Sequence, residues 1–281
     1  MDTIVEYRNN TPLMEMINSD DAIFHYTKRS TALEIVLSEN SFKLFRLLNT
    51  NDPREYKDRL LGMSGWGWTT DIDNSIKKVH HYYDDLLRKK SYFSSFSINK
   101  YRESGLCSHG YNKPRMWAQY GEDHYGICLV VSKHNFINAI DEHTLNNNYS
   151  VFHDIISYNT YEQYSRSRSI SIDGDSFNSR TPFQIAFEHI KKYNKELFFT
   201  KDPDYRDEDE YRVVVCQSNE KELKELESIE IQTDKIIKGI IVGDRFPKVY
   251  KPTVELLCDK LKIEYRKLHW EKREFLLLDA L

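Results

Sequence analysis

Three observations predict an α+β fold. Apolar, β-branched runs recur along the chain, among them Gly126-Ile127-Cys128-Leu129-Val130-Val131, Tyr211-Arg212-Val213-Val214-Val215-Cys216 and Ile236 to Val242, and runs of that length suit strands. Other segments, at 75–90 and 183–197, carry apolar residues at helical spacing instead. No internal repeat and no sharp change of composition divides the 281 residues, so a single domain over 1–281 is expected.

Composition excludes several function classes. The 40 Lys and Arg stand against 44 Asp and Glu, a formal net charge of −4, which supplies no global field for steering nucleic acid and leaves only local basic patches open. With 10 Gly, 7 Pro and 13% aromatic residues, the chain is neither low-complexity nor fibrous. Its four cysteines, at 107, 128, 216 and 258, form no CxxC pair; they read as reduced thiols rather than a disulfide framework or a zinc ribbon. The opening MDTIVEYRNN lacks a basic and then apolar leader, and no run of 18 apolar residues occurs. A cytoplasmic protein that does not span a membrane is expected.

Taken in order, Ile23 to Thr27 is the first predicted strand, and Thr31-Ala32-Leu33-Glu34 behind it fits the capping box of a helix that stops near Asn40. A strand at 42–48 follows, and Asn49 to Glu55 is a turn-forming cluster that hangs a polar loop off its end. Ile76, Val79, Tyr83, Leu86 and Leu87 give the helix at 75–90 its stripe, with Arg88-Lys89-Lys90 at the negative end of its dipole. Tyr92 to Ile98 is a strand, Pro114 opens a short helix that Gly121 ends, and 126–131 is a strand buried on both faces. The polar stretch 159–182 reads as a long surface loop or insertion. Phe183, Phe187, Ile190 and Leu197 mark a helix, Tyr211 to Cys216 a strand, and a helix from about 252 to 261 lies between the last strands, 236–242 and 262–268.

Chemistry-bearing residues cluster at strand ends: His25-Tyr26-Thr27, Ser95-Phe96-Ser97 with Met116 to Tyr120, and Asp207 to Arg212. Each has a bland reading: a hydrogen-bonded strand histidine, Trp117 and Tyr120 as core aromatics, and a solvated acidic run. Glu210 and Arg212 alternate along one strand and so share a face, as an ion pair or facing a polar cleft. Cys107-Ser108-His109 has no second ligand pair, so no metal is expected. Asp52 and Glu55-Tyr56-Lys57 fit a turn better than a metal-nuclease site, and no GxGxxG, P-loop or GxSxG occurs.

These clusters, in this order, resemble the bacterial family DUF2971, placed within the ADP-ribosyltransferase superfamily. The family's H-Y-T looks like His25-Tyr26-Thr27, its F-N-D-P-x-E like Thr50 to Glu55, and its S-F-S like Ser95-Phe96-Ser97. Its M-W-x-x-Y is similar to Met116 to Tyr120, its W-x-x-E-x-E-Y-R to Tyr205 to Arg212, and its terminal I-x-L-G to Ile240 to Gly243. The likeness covers about 22–245. Tyr205 stands for the usual Trp and Thr50 for Phe, while 159–182 and the tail from His269 to Leu281 lie outside it.

The resemblance implies a split β core of two small sheets with surrounding helices; the helix, strand and tail expected over 246–281 lie beyond its motifs. It implies cleavage of NAD+ and transfer of ADP-ribose to a macromolecular acceptor, with no metal, in a toxin or anti-phage effector. The alternatives are a non-catalytic binding module and an NAD+ glycohydrolase. By resemblance Glu210 is the carboxylate that stabilises positive charge on the ribose. His25 would bond a ribose, Tyr120, Trp117 or Tyr26 would stack on nicotinamide, and Ser95, Ser97 and Thr27 would hydrogen-bond the ligand. Arg212 would hold a phosphate or steady Glu210. RNA, DNA or protein is the expected acceptor, the basic candidates being SRSRS at 165–169, Arg88 to Lys90 and Lys262 to Arg273. An antitoxin or chaperone partner is a further expectation.

Overall fold

The computed structural model describes residues 11–50, 52, 55, 62–64, 70–144, 148–159, 169–171, 174–233, 235–271 and 274–278. Its strands are β1 (Ala22–Thr27), β2 (Ser41–Arg46), β3 (Gly62–Ser64), β4 (Ser91–Ile98), β5 (Lys100–Arg102), β6 (Gly105–Ser108), β7 (Ile127–Ser132) and β8 (Tyr149–Ile155). They continue as β9 (Ser157–Tyr158), β10 (Ser169–Ser171), β11 (Thr200–Lys201), β12 (Glu210–Gln217), β13 (Ser228–Gln232), β14 (Ile237–Val242), β15 (Glu264–Glu271) and β16 (Glu274–Leu278).

The α+β class expected from the sequence is the one adopted. Instead of two small sheets, the described strands join into one ten-stranded mixed sheet in the order β13-β2-β4-β1-β7-β14-β15-β16, with β12 and then β8 branching from β4. Three two-stranded sheets, β3 with β10, β9 with β11 and β5 with β6, stand apart from it.

The branching makes a fork. One edge of β4 pairs with β12 without a break, from Ser91↔Cys216 to Ser97↔Glu210. Two strands share its other edge: β2 at Tyr92 and Phe93, and β1 at Ser97 and Ile98. Ser94, Ser95 and Phe96 pair with neither. There β1 turns away to follow β7, from Ala22↔Ser132 to Thr27↔Ile127. A sheet opened in this way exposes backbone and side chains of a central strand in a crevice, which is what a ligand site needs.

One face of the sheet packs on Ile23, Phe42, Phe96, Phe136, Val213 and Ile240. The other is covered at its lower end by the helices Thr70–Arg88 and Pro182–Lys192, through Val79, Tyr83, Leu86, Phe183 and Ile190. Thr181 and Gln184 form a reciprocal cap that starts the second of these. The expected capping box at Thr31 does not form: Thr31–Val36 is a π-helical turn whose N-cap, Ser30, makes no side-chain cap bond. β7 is buried at every position, as its apolar run predicts.

Several elements escaped the sequence reading, among them the helix Pro12–Ile17, β13 and β16; two more show why. The helix Lys133–Thr144 has a weak apolar stripe, and β8 alternates only partly, because no described strand pairs with its outer edge and both of its faces are half exposed. Of the polar stretch, 160–168 and 172–173 lie outside the described residues; its described parts include β10 and a 3-10 turn at Gly174–Asn178.

Candidate active site

The fork opens into a cleft of roughly 820 Å³, its open mouth included, floored by β4 and walled by β1, β2, β12 and the helix Pro114–Gln119. Each wall follows from local sequence. The β4 run Ser91–Ile98 alternates, so Ser95 and Ser97 share a face with the starting residues of β12. Pro114 starts the short helix that carries Met116, and Tyr120 caps its far end.

At the centre, two carboxylates meet one ammonium. Glu208 Oε2 lies 2.6 Å from Lys201 Nζ, and Glu210 Oε2 lies 3.2 Å from the same nitrogen. The other oxygen of Glu210 accepts from Ser95 Oγ at 2.5 Å and from Arg212 Nε at 2.6 Å. The other oxygen of Glu208 accepts from the Tyr120 hydroxyl at 3.0 Å. Arg212 also donates through Nη1 to Glu55 Oε1 at 2.6 Å and to the Phe198 carbonyl at 3.0 Å. Arg212 is 0% exposed, and its guanidinium sits 5.3 Å from the Phe93 ring centroid.

These surroundings drive the two glutamates apart. Burial raises Glu210, but the charges of Arg212 and Lys201, with hydrogen bonds from Arg212 and Ser95, outweigh it and hold the carboxyl at about 2. Glu208 moves up, because its burial outweighs the attraction of Lys201. Burial works against the Lys201 ammonium, yet the carboxylates of Glu210 and Glu208 raise its pKa. A carboxylate that stays ionised beside one that can take up a proton is the pattern of a paired acid–base site.

His25 stands in the mouth of the fork. Its Nδ1–H donates to the Ser95 carbonyl at 3.0 Å, which leaves Nε2 as an acceptor. Phe42 and Phe96 hold the ring from below, and its pKa is lowered by burial, only partly countered by that hydrogen bond.

The cleft brings together His25, Tyr26, Ser95, Ser97, Tyr120, Glu210 and Arg212 of the residues singled out from the sequence. Trp117 is not among them: it is 0% exposed, donates Nε1–H to the Tyr111 carbonyl at 2.8 Å and packs on the edge of Tyr26. Its bland reading, a core aromatic, is the one the packing supports. Thr27 is buried beside β7 and does not line the cleft. Tyr26 reaches the wall, but its hydroxyl is spent on the Gly110 carbonyl at 2.8 Å. Arg212, enclosed by Glu210, Glu55 and Phe198, steadies Glu210.

Sequence reasoning missed Lys201, Glu208, Glu55 and Phe45 as site residues. Glu208 and Glu55 both stood in quoted motifs; Lys201 and Phe45 carried no local signal. The acidic run is not a solvated face: Glu208, Asp209 and Glu210 are buried, and only Asp207 is exposed.

The basic clusters give little support to a nucleic-acid surface. Arg88 pairs with Asp84 at 2.8 Å, Lys89 with Asp85 at 3.7 Å, and Arg266 with Glu264 at 3.2 Å. Arg166, Arg168 and Arg273 lie outside the described residues. Among the described residues no helix is long and apolar enough to cross a membrane.

Residues 116–213 match the model of the family DUF2971, a protein of unknown function. The DUF2971 match takes in Tyr120, Lys201, Glu208, Glu210 and Arg212, and it supports the family part of the resemblance. His25, Phe45, Glu55 and Ser95 lie before it. No curated protein and no solved structure matches the chain.

Proposed function

We propose that the cleft binds NAD+ and that the chain transfers its ADP-ribose to a macromolecular acceptor. The observation that carries this reading is the convergence of Glu208 and Glu210 on Lys201, one carboxyl held ionised and the other with a raised affinity for a proton.

The chemistry follows from those two states. Breaking the bond between nicotinamide and ribose leaves positive charge on the sugar, and the bonding electrons depart with nicotinamide. An ionised carboxylate beside the ribose favours that transition state over the ground state. Glu210 is that group, kept ionised by Arg212 and Lys201 and aimed by Ser95. The acceptor must lose a proton as its new bond to the sugar forms, and Glu208, with its raised proton affinity, takes it. His25 Nε2 accepts from a ribose hydroxyl, since Nδ1–H is already committed to Ser95. Phe45, 49% exposed at the cleft, and Tyr120 supply π faces for the ligand's planar rings. A sheet that offers individual side chains in a crevice needs no glycine-rich phosphate loop.

The test is incubation with adenine-labelled NAD+ and a cell extract, followed by separation of protein, nucleic acid and small molecules. Label in a macromolecular fraction, lost on Glu210→Gln in protein shown to be folded, is the expected result. Free ADP-ribose alone would make the chain a glycohydrolase, and intact bound NAD+ alone would make it a binding module; either would overturn transfer.

A further inference from the structure

We infer that Asp209, which does not line the cleft, is the positioning residue that turns Glu208 and Glu210 onto the same lysine. This deepens the reading above and rests on it for its catalytic meaning, but the geometric claim stands on its own observations.

Glu208 ends the 3-10 turn Pro203–Glu208, and Glu210 begins β12. In a continuous strand, side chains two apart point the same way but leave the backbone about 7 Å from one another. Here both carboxylates reach one nitrogen, because Asp209 between them is left-handed, at φ 45° and ψ 57°. Asp is one of the few non-glycine residues that visits this region, and it does so at a cost.

The cost is met by contacts that nothing else in the cleft explains. The Asp209 side chain points away from its neighbours and meets two lysines. Its Oδ2 accepts from Lys113 Nζ, and its Oδ1 lies 2.6 Å from Lys100 Nζ. Lys113 is itself buried and donates a second bond to the Asp207 carbonyl at 3.2 Å. It immediately precedes the helix Pro114–Gln119, which Arg115 also ties to the Asp204 carbonyl at 3.0 Å. The Asp209 carbonyl accepts from Ile98 N at 3.0 Å, beyond the end of the β4–β12 ladder. One residue therefore fastens the carboxylate-bearing segment to β4 and to the helix that presents Tyr120.

Three variants separate positioning from simple structural support. Asp209→Asn keeps the size and the tolerance for left-handed backbone but loses the charge. Asp209→Gly keeps only the backbone freedom, and Asp209→Ala keeps neither. The first readout needs no activity: carboxyl-carbon NMR titration of Glu208 and Glu210, in which the wild type shows one group above and one below the ordinary glutamate value. That separation should persist in Asn, shrink in Gly and collapse in Ala. The second is NAD+ turnover in folded protein, where Ala should lower kcat about a hundredfold with KM within about twofold, the signature of misplaced rather than missing groups.

Unchanged titration and turnover in Asp209→Ala would overturn the proposal, as would equal losses in all three variants. Collapse of the titration in Ala, with a wild type that never turns over NAD+, would uphold the positioning role and sink the NAD+ reading. If Ala does not fold, Gly against Asn carries the same comparison.

Discussion

His25 Nδ1 donates to the carbonyl oxygen of Ser95 at 3.0 Å, across the gap where β1 leaves β4. Ser95 lies between the stretch of β4 that pairs with β2 and the stretch that pairs with β1. The imidazole thus supplies a donor that no strand supplies there, which answers the need of a buried carbonyl for a partner and fixes the histidine's tautomer.

His25→Gln should test that arrangement through pH. The folded pKa of His25 lies below its ordinary 6.5, so the unfolded chain binds the proton more readily. The contribution to stability is fully present above 6.5 and is lost as pH falls through the lowered folded value. Denaturant melts from pH 8 to 5 should show wild-type stability declining below about 6.5. The decline should be shallower in His25→Gln, and equal slopes would rule out the histidine as its source.

The two glutamates should respond to acid with opposite signs. Glu210, held at about 2 against an ordinary 4.5, contributes stability that is present above 4.5 and lost as pH falls toward 2. Glu208, raised above 4.5, contributes stability that is present below 4.5 and lost as pH rises through its folded value. At pH 7 Glu210→Gln should therefore destabilise the protein more than Glu208→Gln does. A loss of about 3–5 kcal/mol is expected for Glu210→Gln, since it leaves Arg212 and Lys201 buried with less counter-charge. The labelling assay of Glu210→Gln therefore belongs with a melting curve.

Phe45→Ala should do the reverse. The ring is half exposed at the cleft, so stability should change by no more than about 0.5 kcal/mol. NAD+ affinity should fall about tenfold, the scale of one lost aromatic stack. Calorimetric titration of NAD+ into both proteins decides it, and unchanged affinity would exclude the ring from the ligand's path.

Gly126→Ala should fail by crowding. A Cβ there would lie 2.4 Å from the Thr27 carbonyl oxygen and 2.8 Å from that of Gly121, both backbone atoms that cannot swing aside. Glu122, Asp123 and His124 just before it are all left-handed, at φ 51°, 51° and 69°, so the turn has little slack. A loss of about 1–3 kcal/mol or more is expected in thermal melts.

Sequence by itself determined the α+β class, the positions of most strands of the main sheet and of its longer helices other than Lys133–Thr144, and the shared face of Glu210 and Arg212. Those depend on local periodicity, which a chain carries along its own length. Motif order also drew attention to His25, Ser95 and Glu210, which the cleft does bring together. Tertiary structure alone decided the rest. Lys201, on a two-residue strand, becomes the hub of the cleft only because β11 pairs with β9 beside the start of β12. Glu55 meets Arg212 across 157 residues of sequence, and Trp117 falls into the core although its spacing served a ligand face equally well. A buried charge is tolerated only where its partners surround it, and which partners arrive is a property of the folded chain rather than of any window within it.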